Sequence, residues 1–459
     1  MKDFESCIHD LNNSDDKYHE DDQKWYRKGF LNEVLFLEDF LSCFPMKHFE
    51  GNFYGPDGLI PDHVVKRKIY LLLSTEVSSG LARRTEQLLK ALVLETTTEE
   101  FPADTFVIRA KNGSLHMDGA FVEEQDITRY RLAVPYDPDP APPWRWIAFL
   151  ESLLESDDIS TLQEYLGYCL IPCTKGQTML FLIGDGGEGK SRITQVCRAI
   201  FGRVMNVSSL HKLEASRFAR ADLVGKLLMV DDDLEMAALP KTNYIKSIVT
   251  QEGKIDTERK NEQSEQKEMT CRLLCMGNGS PNSLYDHSNG FYRRQIILTT
   301  IPKPEGRVDD PFLTEKLLQE LPGIFDWCFM GLRRLIGNDF RFTVSERAKK
   351  NLEDLKVAGN NVITFLESED YFSFGEEYSS TTSDLYHAYK LWCQENAEVP
   401  VAMRSFSSYL KHHADSLHLT ESNNVPNKDG RKVRGFHGIK VDVKTDFVPY
   451  LGNLPFADP

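Results

Sequence analysis

Between Gly184 and Ser191 the chain reads Gly-Asp-Gly-Gly-Glu-Gly-Lys-Ser, the spacing GxxxxGK[ST]. Each residue type here has a chemical use. Glycines let backbone N–H groups curl around the oxygens of a phosphate, the lysine ammonium reaches the β and γ oxygens, and the serine hydroxyl ligates Mg²⁺. Gly184, Asp185, Gly186, Gly187, Glu188, Gly189, Lys190 and Ser191 are therefore the candidate nucleotide-binding residues, with ATP and Mg²⁺ as the expected ligands.

A phosphate loop of this kind needs an acid for the metal and a group that orients the attacking water. LLMVDDD, ending in Asp231-Asp232-Asp233, is the only downstream strand pattern that delivers carboxylates at its C-terminal edge. Asp231 is assigned to the magnesium and Asp232 to polarising the water, with Asp233 as a cap or a solvated residue. The strand TCRLLCMGN ends in Asn278, a polar tip placed to touch the γ-phosphate and the lytic water. The pair Arg293-Arg294, just before another apolar strand, is placed to reach a neighbouring subunit's nucleotide as an arginine finger.

These groups require a sheet with helices on its faces. Residues 178 to about 340 alternate apolar strands (Thr178 to Ile183, Lys226 to Val230, Thr270 to Met276, Gln295 to Thr300) with helical stretches, the rhythm of a mostly parallel sheet. Before this core, residues 1–24 read as a flexible acidic tail. Residues 25–150 read as a mainly helical domain with apolar positions at Phe30, Val34, Leu37, Leu41, Leu81, Leu88 and Leu92, plus a small hairpin at Asn112-Gly113. A proline-rich connector ends at a helix beginning near Trp144. The core is placed at 151–345, and a last domain at 346–459 contains helices Ser383 to Asn396 and Arg404 to Ala414, then strand-like segments.

The order of phosphate loop, paired acids, strand-end Asn and D-x-x-x-G-F-x-R-R (Asp286, Gly290, Phe291, Arg293, Arg294) resembles the compact ATPase core of superfamily 3 helicases, in particular the phage, plasmid and poxvirus-like primase-helicases. The resemblance implies an α/β fold: an AAA+-related P-loop core, a helical N-terminal domain and a C-terminal winged helix. It also implies a homo-hexameric ring, hydrolysis of ATP between subunits and translocation on single-stranded or forked DNA. In similar helicases the interval IVTQEGKIDTERKNEQSEQKE forms a channel hairpin, so Lys254, Arg259, Lys260 and Lys267 are candidate DNA contacts, Lys260 foremost. Family members commonly carry Asn where Glu188 stands, and Pro soon after the sensor Asn, where this chain has Gly279-Ser280-Pro281. Nothing in the first 44 residues corresponds to a primase, so a separate primase or initiator is an expected partner.

The net charge of −16 argues against a protein that coats DNA with its whole surface, so any nucleic-acid contact is local. Lys428, Arg431, Lys432 and Arg434, in a Gly/Asn-rich hairpin, form a candidate wing against duplex phosphates. The nine cysteines are scattered, no export signal is evident and no apolar run is long enough for a membrane span, which points to a soluble, cytoplasmic protein. Cys169/Cys173 and Cys271/Cys275 are spaced like zinc ligands but sit in apolar segments, where cysteine acts as a small hydrophobe. His412 and His413 face different sides of a helix, and Leu385, Tyr389 and Trp392 form a stripe expected to be core. Two other functions fit the same motifs: an ATP-switched initiator that melts an origin without processive unwinding, and an ATPase that remodels proteins.

Overall fold

The computed structural model describes residues 24–27, 30–77, 79–101, 105–234, 239, 241–259, 263–278, 289–304, 306–358, 361–366, 368, 371–398, 400–401, 403–412, 414, 417–427 and 429–442. The expected tail up to residue 23, Lys260, Gly279-Ser280-Pro281, Asp286, His413, Lys428 and the side chain of His412 lie outside the described residues. The chain divides into two compact units, the first built mainly on residues up to Ala348 and the second mainly on residues from Lys349 onward.

The first unit is organised by a five-stranded sheet. Its strands are β1 (Met179–Ile183), β2 (Met205–Val207), β3 (Leu228–Leu234), β4 (Arg272–Gly277) and β5 (Gln295–Thr299), in the order β2-β3-β4-β1-β5. Every neighbouring pair is parallel, with Leu180 opposite Leu274 on one side and Phe181 opposite Ile297 on the other. The run Met-Leu-Phe-Leu-Ile of β1 has no polar alternation because helices cover both faces of a parallel sheet. Met179 to Leu182 are fully covered.

Four helices flank the site: α1 (Trp144–Glu151), α2 (Ser156–Tyr168), α3 (Ser191–Phe201) and α4 (Leu321–Gly337). Helix α3 buries Ile193, Val196, Cys197 and Ile200, the three-and-four spacing that one helix face presents to a sheet. Helices α2 and α4 approach closely at two glycines. A Cβ at Gly167 would lie 2.3 Å from the Cys328 carbonyl oxygen, and one at Gly331 would lie 2.4 Å from that of Gln163. The same crossing is tied by Glu164, which is fully buried and accepts from Arg334 Nε at 2.6 Å, Thr343 N at 2.7 Å and Thr343 Oγ1 at 2.8 Å.

The N-terminal part of this unit has helices Glu33–Cys43, Asp62–Glu76 and Leu81–Thr96 around Phe36, Phe40, Val65, Ile69, Leu72, Leu88 and Leu92. Leu37, Leu88 and Leu92 are buried as their spacing suggests, but Phe30 and Val34 are exposed. The first helix starts only after Asn32, whose side chain accepts from the Leu35 N–H, so periodicity counted from Phe30 begins outside the helix and takes the wrong phase. A three-stranded antiparallel meander (Lys47–Phe49, Asn52–Gly55, Gly58–Ile60) also interrupts the helical reading. Its strands are too short for an alternation to register. The hairpin at Asn112-Gly113 joins Val107–Ala110 to Gly113–His116.

In the second unit, helices Asn361–Leu366, Thr382–Glu395 and Met403–His412 pack with a three-stranded antiparallel sheet of Phe372–Thr381, Lys432–Val441 and Thr420–Pro426. Leu385, Tyr389 and Trp392 are buried in its core beside Phe365, Phe406 and Phe436. Among the described residues no helix is long and apolar enough to cross a membrane.

Candidate functional site

The glycine-rich loop leaves the C-terminal end of β1 and runs into α3. Its path is set at the sheet edge: the Gly184 N–H donates to the Gly277 carbonyl of β4 at 3.1 Å, and the Thr300 N–H donates to the Ile183 carbonyl at 2.8 Å. Gly186, Gly187 and Gly189 adopt φ of 104°, 81° and 110°, backbone conformations that residues with a Cβ enter only with strain. The loop then opens α3 at Ser191, where unsatisfied backbone N–H groups of the first turn favour negative charge.

A cavity of about 750 Å³ lies against this loop. Gly186, Gly187, Glu188, Gly189, Lys190 and Ser191 line it, together with Asp232, Asn278, Phe149 of α1 and Arg307. Gly184 and Asp185 of the expected set are not among the lining residues; Gly184 lies beneath the loop's side chains, where a Cβ would meet Thr300 and Glu188. The Asn278 amide is 3.7 Å from a Cβ built on Gly186, so the strand-end asparagine and the loop share one space, as their sequence order suggests.

The two aspartates divide differently from the expectation. Asp231 is buried and its Oδ2 accepts the Leu210 backbone N–H at 2.9 Å. Burial pushes its carboxyl pKa up, against the Leu210 amide and the other donor that hold it down. Asp232 is exposed and is the aspartate of the run that lines the cavity. Successive strand residues point to opposite faces, and β3 continues through the acidic run to Leu234, with a register irregularity between Asp231 and Leu234. The strand therefore does not end at the acids, and Asp231, the expected magnesium ligand, is committed to the backbone of a neighbouring segment.

Inside the loop, Glu188 Oε1 accepts the Gly186 N–H at 2.7 Å and Oε2 meets the Lys190 ammonium at 2.8 Å. Both side chains are almost fully covered. Burial works against the charge of Glu188, but the Lys190 hydrogen bond and the loop amides outweigh it and hold the carboxyl below the usual glutamate range.

Arg307 was not signalled by motif spacing. Its guanidinium donates to the Glu188 carbonyl at 3.0 Å and pairs with Asp309 at 3.2 Å, so it closes the loop from a proline-flanked segment far along the chain. The only sequence cue is a cation between glycine and two aspartates in the turn KPEGRVDDPF.

Of the paired arginines, Arg294 is buried, gives its carbonyl to the Met179 N–H at 2.8 Å and lies 3.9 Å from Glu252. Arg293 is exposed. Between the acids and Asn278 the chain forms an antiparallel hairpin, Ile255–Thr257 with Glu265–Lys267. Lys254 and Arg259 are exposed on it, whereas Lys267 donates to the Glu50 carbonyl at 2.7 Å and pairs with Glu265 at 3.0 Å. In the second unit Arg431 and Lys432 are exposed at a turn, and Arg434 Nε donates to Glu421 at 2.8 Å. Cys169, Cys173, Cys271 and Cys275 are buried; burial pushes the Cys169 and Cys271 thiols up to about 12. Among the described residues no group of three His, Cys, Asp or Glu side chains is arranged to hold a metal ion.

Fold and site together define a mixed α/β protein with a parallel sheet and a glycine-rich loop at the end of its β1 strand. Residues 182–294, from the end of β1 to the arginine pair, match DUF5906, a family of unknown function. No curated protein matches the sequence. Among solved structures, one apo structure of the NrS-1 C-terminal region is 11% identical with a TM-score of 0.49, covering 90% of this chain and 100% of that one. A second, the A form, is 12% identical with a TM-score of 0.48, covering 88% and 99%. A ligand-bound JCV helicase is 15% identical with a TM-score of 0.28, covering 49% and 63%.

Proposed function

We propose that this protein is an ATP-dependent DNA helicase that works as a homo-hexameric ring, translocating on single-stranded DNA in the replication of a phage, plasmid or other mobile element. The observation that carries the reading is the convergence of Lys190, Ser191, Asp232 and Asn278 on one cavity beside a loop of left-handed glycines. That set combines a cation, a hydroxyl, a carboxylate and an amide, the groups that phosphoryl transfer uses for positioning and charge stabilisation.

In this reading the loop amides and the Lys190 ammonium bind and orient the β and γ phosphates. The Ser191 hydroxyl and the Asp232 carboxylate are hard oxygen donors on the same cavity, which suits Mg²⁺, and they would hold it. The ion would supply neutralisation of the phosphate oxygens. Asn278 contacts the γ-phosphate and orients the attacking water, and Asp231 acts as a positioning residue through Leu210. Exposed Arg293 is the finger offered to the neighbouring subunit; buried Arg294 stays within its own chain. Lys254 and Arg259 of the hairpin contact the DNA strand together with Lys260, and the second unit is a winged helix whose Arg431 and Lys432 touch duplex phosphates together with Lys428. The setting is cytoplasmic, with a separate primase or initiator as partner.

The test is ATP turnover with and without single-stranded DNA, run beside strand displacement on a forked duplex and particle imaging with nucleotide. Stimulated turnover, displacement and six-fold rings are expected. Stimulation without displacement would instead indicate an origin-melting initiator, and turnover indifferent to DNA a protein-remodelling ATPase.

A further inference from the structure

The loop holds an anion of its own. The Gly186 N–H and the Lys190 ammonium are two of the donors that a bound phosphate would need, and both are taken by the two oxygens of Glu188, at 2.7 and 2.8 Å. The pair is sealed in: Glu188 is 3% exposed and Lys190 9%.

Gly184 lies directly beneath this pair. It is not among the loop glycines with positive φ, so its backbone does not require glycine. What requires it is space. A Cβ there would lie 2.8 Å from Glu188 Oε1, 2.9 Å from Lys190 Nζ and 2.1 Å from Thr300 Oγ1. The missing side chain at 184 leaves room first for the Thr300 hydroxyl and also for the carboxylate and ammonium above it.

A carboxylate and a phosphate cannot occupy these donors together, because two anions brought within about 3 Å of each other repel and compete for the same N–H groups. We infer that Glu188 is a built-in competitor of the nucleotide: its carboxylate fills the phosphate cradle of the resting loop and must swing out before a phosphate can enter. The inference rests on the nucleotide-binding reading above and adds to it a residue that sets affinity and gates entry. It also accounts for a carboxylate at a position where only a backbone amide is needed. Arg307, donating to the Glu188 carbonyl at 3.0 Å, fixes the backbone so that the movement is confined to the side chain and the adjoining glycines.

The experiment measures binding of Mg-ATP and of inorganic pyrophosphate by calorimetry to the full chain, as wild type, Glu188→Gln, Glu188→Ala and Lys190→Ala, each first checked by circular dichroism to be folded at the temperature of the measurement. Both Glu188 variants are expected to bind each probe about tenfold more tightly, the size of effect of one charge-assisted contact no longer displaced. Equal or weaker binding by both variants, with binding still lost in Lys190→Ala, overturns the inference and leaves the nucleotide site standing. Absence of binding in the wild type and in both Glu188 variants overturns the nucleotide reading and the inference with it. A second measurement needs no variant: rapid mixing of the wild type with a fluorescent ATP analogue is expected to give an observed rate that saturates with concentration, the signature of an opening step. A rate rising linearly to the highest concentrations overturns the gate.

Discussion

The Asp231 carboxylate accepts the Leu210 backbone N–H at 2.9 Å, while its neighbour Asp232 lines the cavity of the glycine-rich loop. One strand thus gives two adjacent aspartates different duties. Asp232→Asn is expected to reduce ATP turnover by about 100-fold or more with little change in melting temperature. Asp231→Ala leaves a buried N–H without its acceptor and is expected to cost about 1–3 kcal/mol of stability. Comparing melting and turnover for the two variants checks this; equal destabilisation by both would refute the division of labour.

Lys190→Ala is expected to abolish hydrolysis and also to strand the Glu188 charge inside the loop. The double variant Lys190→Ala/Glu188→Gln should recover the lost stability without recovering turnover. The pH dependence has a definite sign. Because Glu188 is held below the usual range, its stabilising contact is fully present above the free glutamate value of about 4.3 and fades as pH falls through the lower folded value. The melting-temperature gap between wild type and Glu188→Gln should accordingly be constant near neutrality and shrink below about pH 4. A gap unchanged to pH 3 would contradict the contact.

Exposed Arg293 and buried Arg294 should separate cleanly. Arg293→Ala is expected to melt normally and bind ATP but hydrolyse it poorly, whereas Arg294→Ala should melt early. Mixing Arg293→Ala with Lys190→Ala chains tests whether the finger acts between subunits, since each mixed interface can combine an intact loop with an intact arginine. No recovery of turnover in the mixture would place the finger elsewhere.

Glu164 anchors the crossing of α2 and α4 through Arg334 and two donors of Thr343. Arg334 is 41% exposed, so water weakens the ion pair itself. Glu164→Ala is still expected to cost about 2 kcal/mol, mainly through the buried donors of Thr343 left unpaired. Chemical denaturation followed by tryptophan fluorescence should show an earlier transition.

On the hairpin, Lys254→Ala and Arg259→Ala should weaken binding of single-stranded DNA while sparing basal turnover, each lowering the slope of log affinity against log salt by about 0.7. Lys267→Ala should instead lower stability, because its ammonium is held by Glu50 and Glu265. Equal losses from all three would argue against a DNA-facing role for the exposed pair.

The sequence by itself located the loop and four of the five strands of the parallel sheet; the short strand Met205–Val207 and the spatial order of the sheet came from the tertiary structure. Glycine, lysine and serine at fixed spacing and continuous apolar runs are local signals, and a strand–turn–helix with that composition has few ways to fold. Local signals also located the Val107–His116 hairpin and the buried stripe of Leu385, Tyr389 and Trp392. Only the tertiary structure decided which aspartate faces the cavity, since three adjacent acids look alike until the pleat and the irregularity in β3 assign each a face. It likewise decided that Lys267 is spent on Glu50, that Arg307 returns to close the loop, and that Glu188 turns back onto the Gly186 amide and the Lys190 ammonium. Each of these depends on what lies across a space, and spacing along a chain does not encode the far wall.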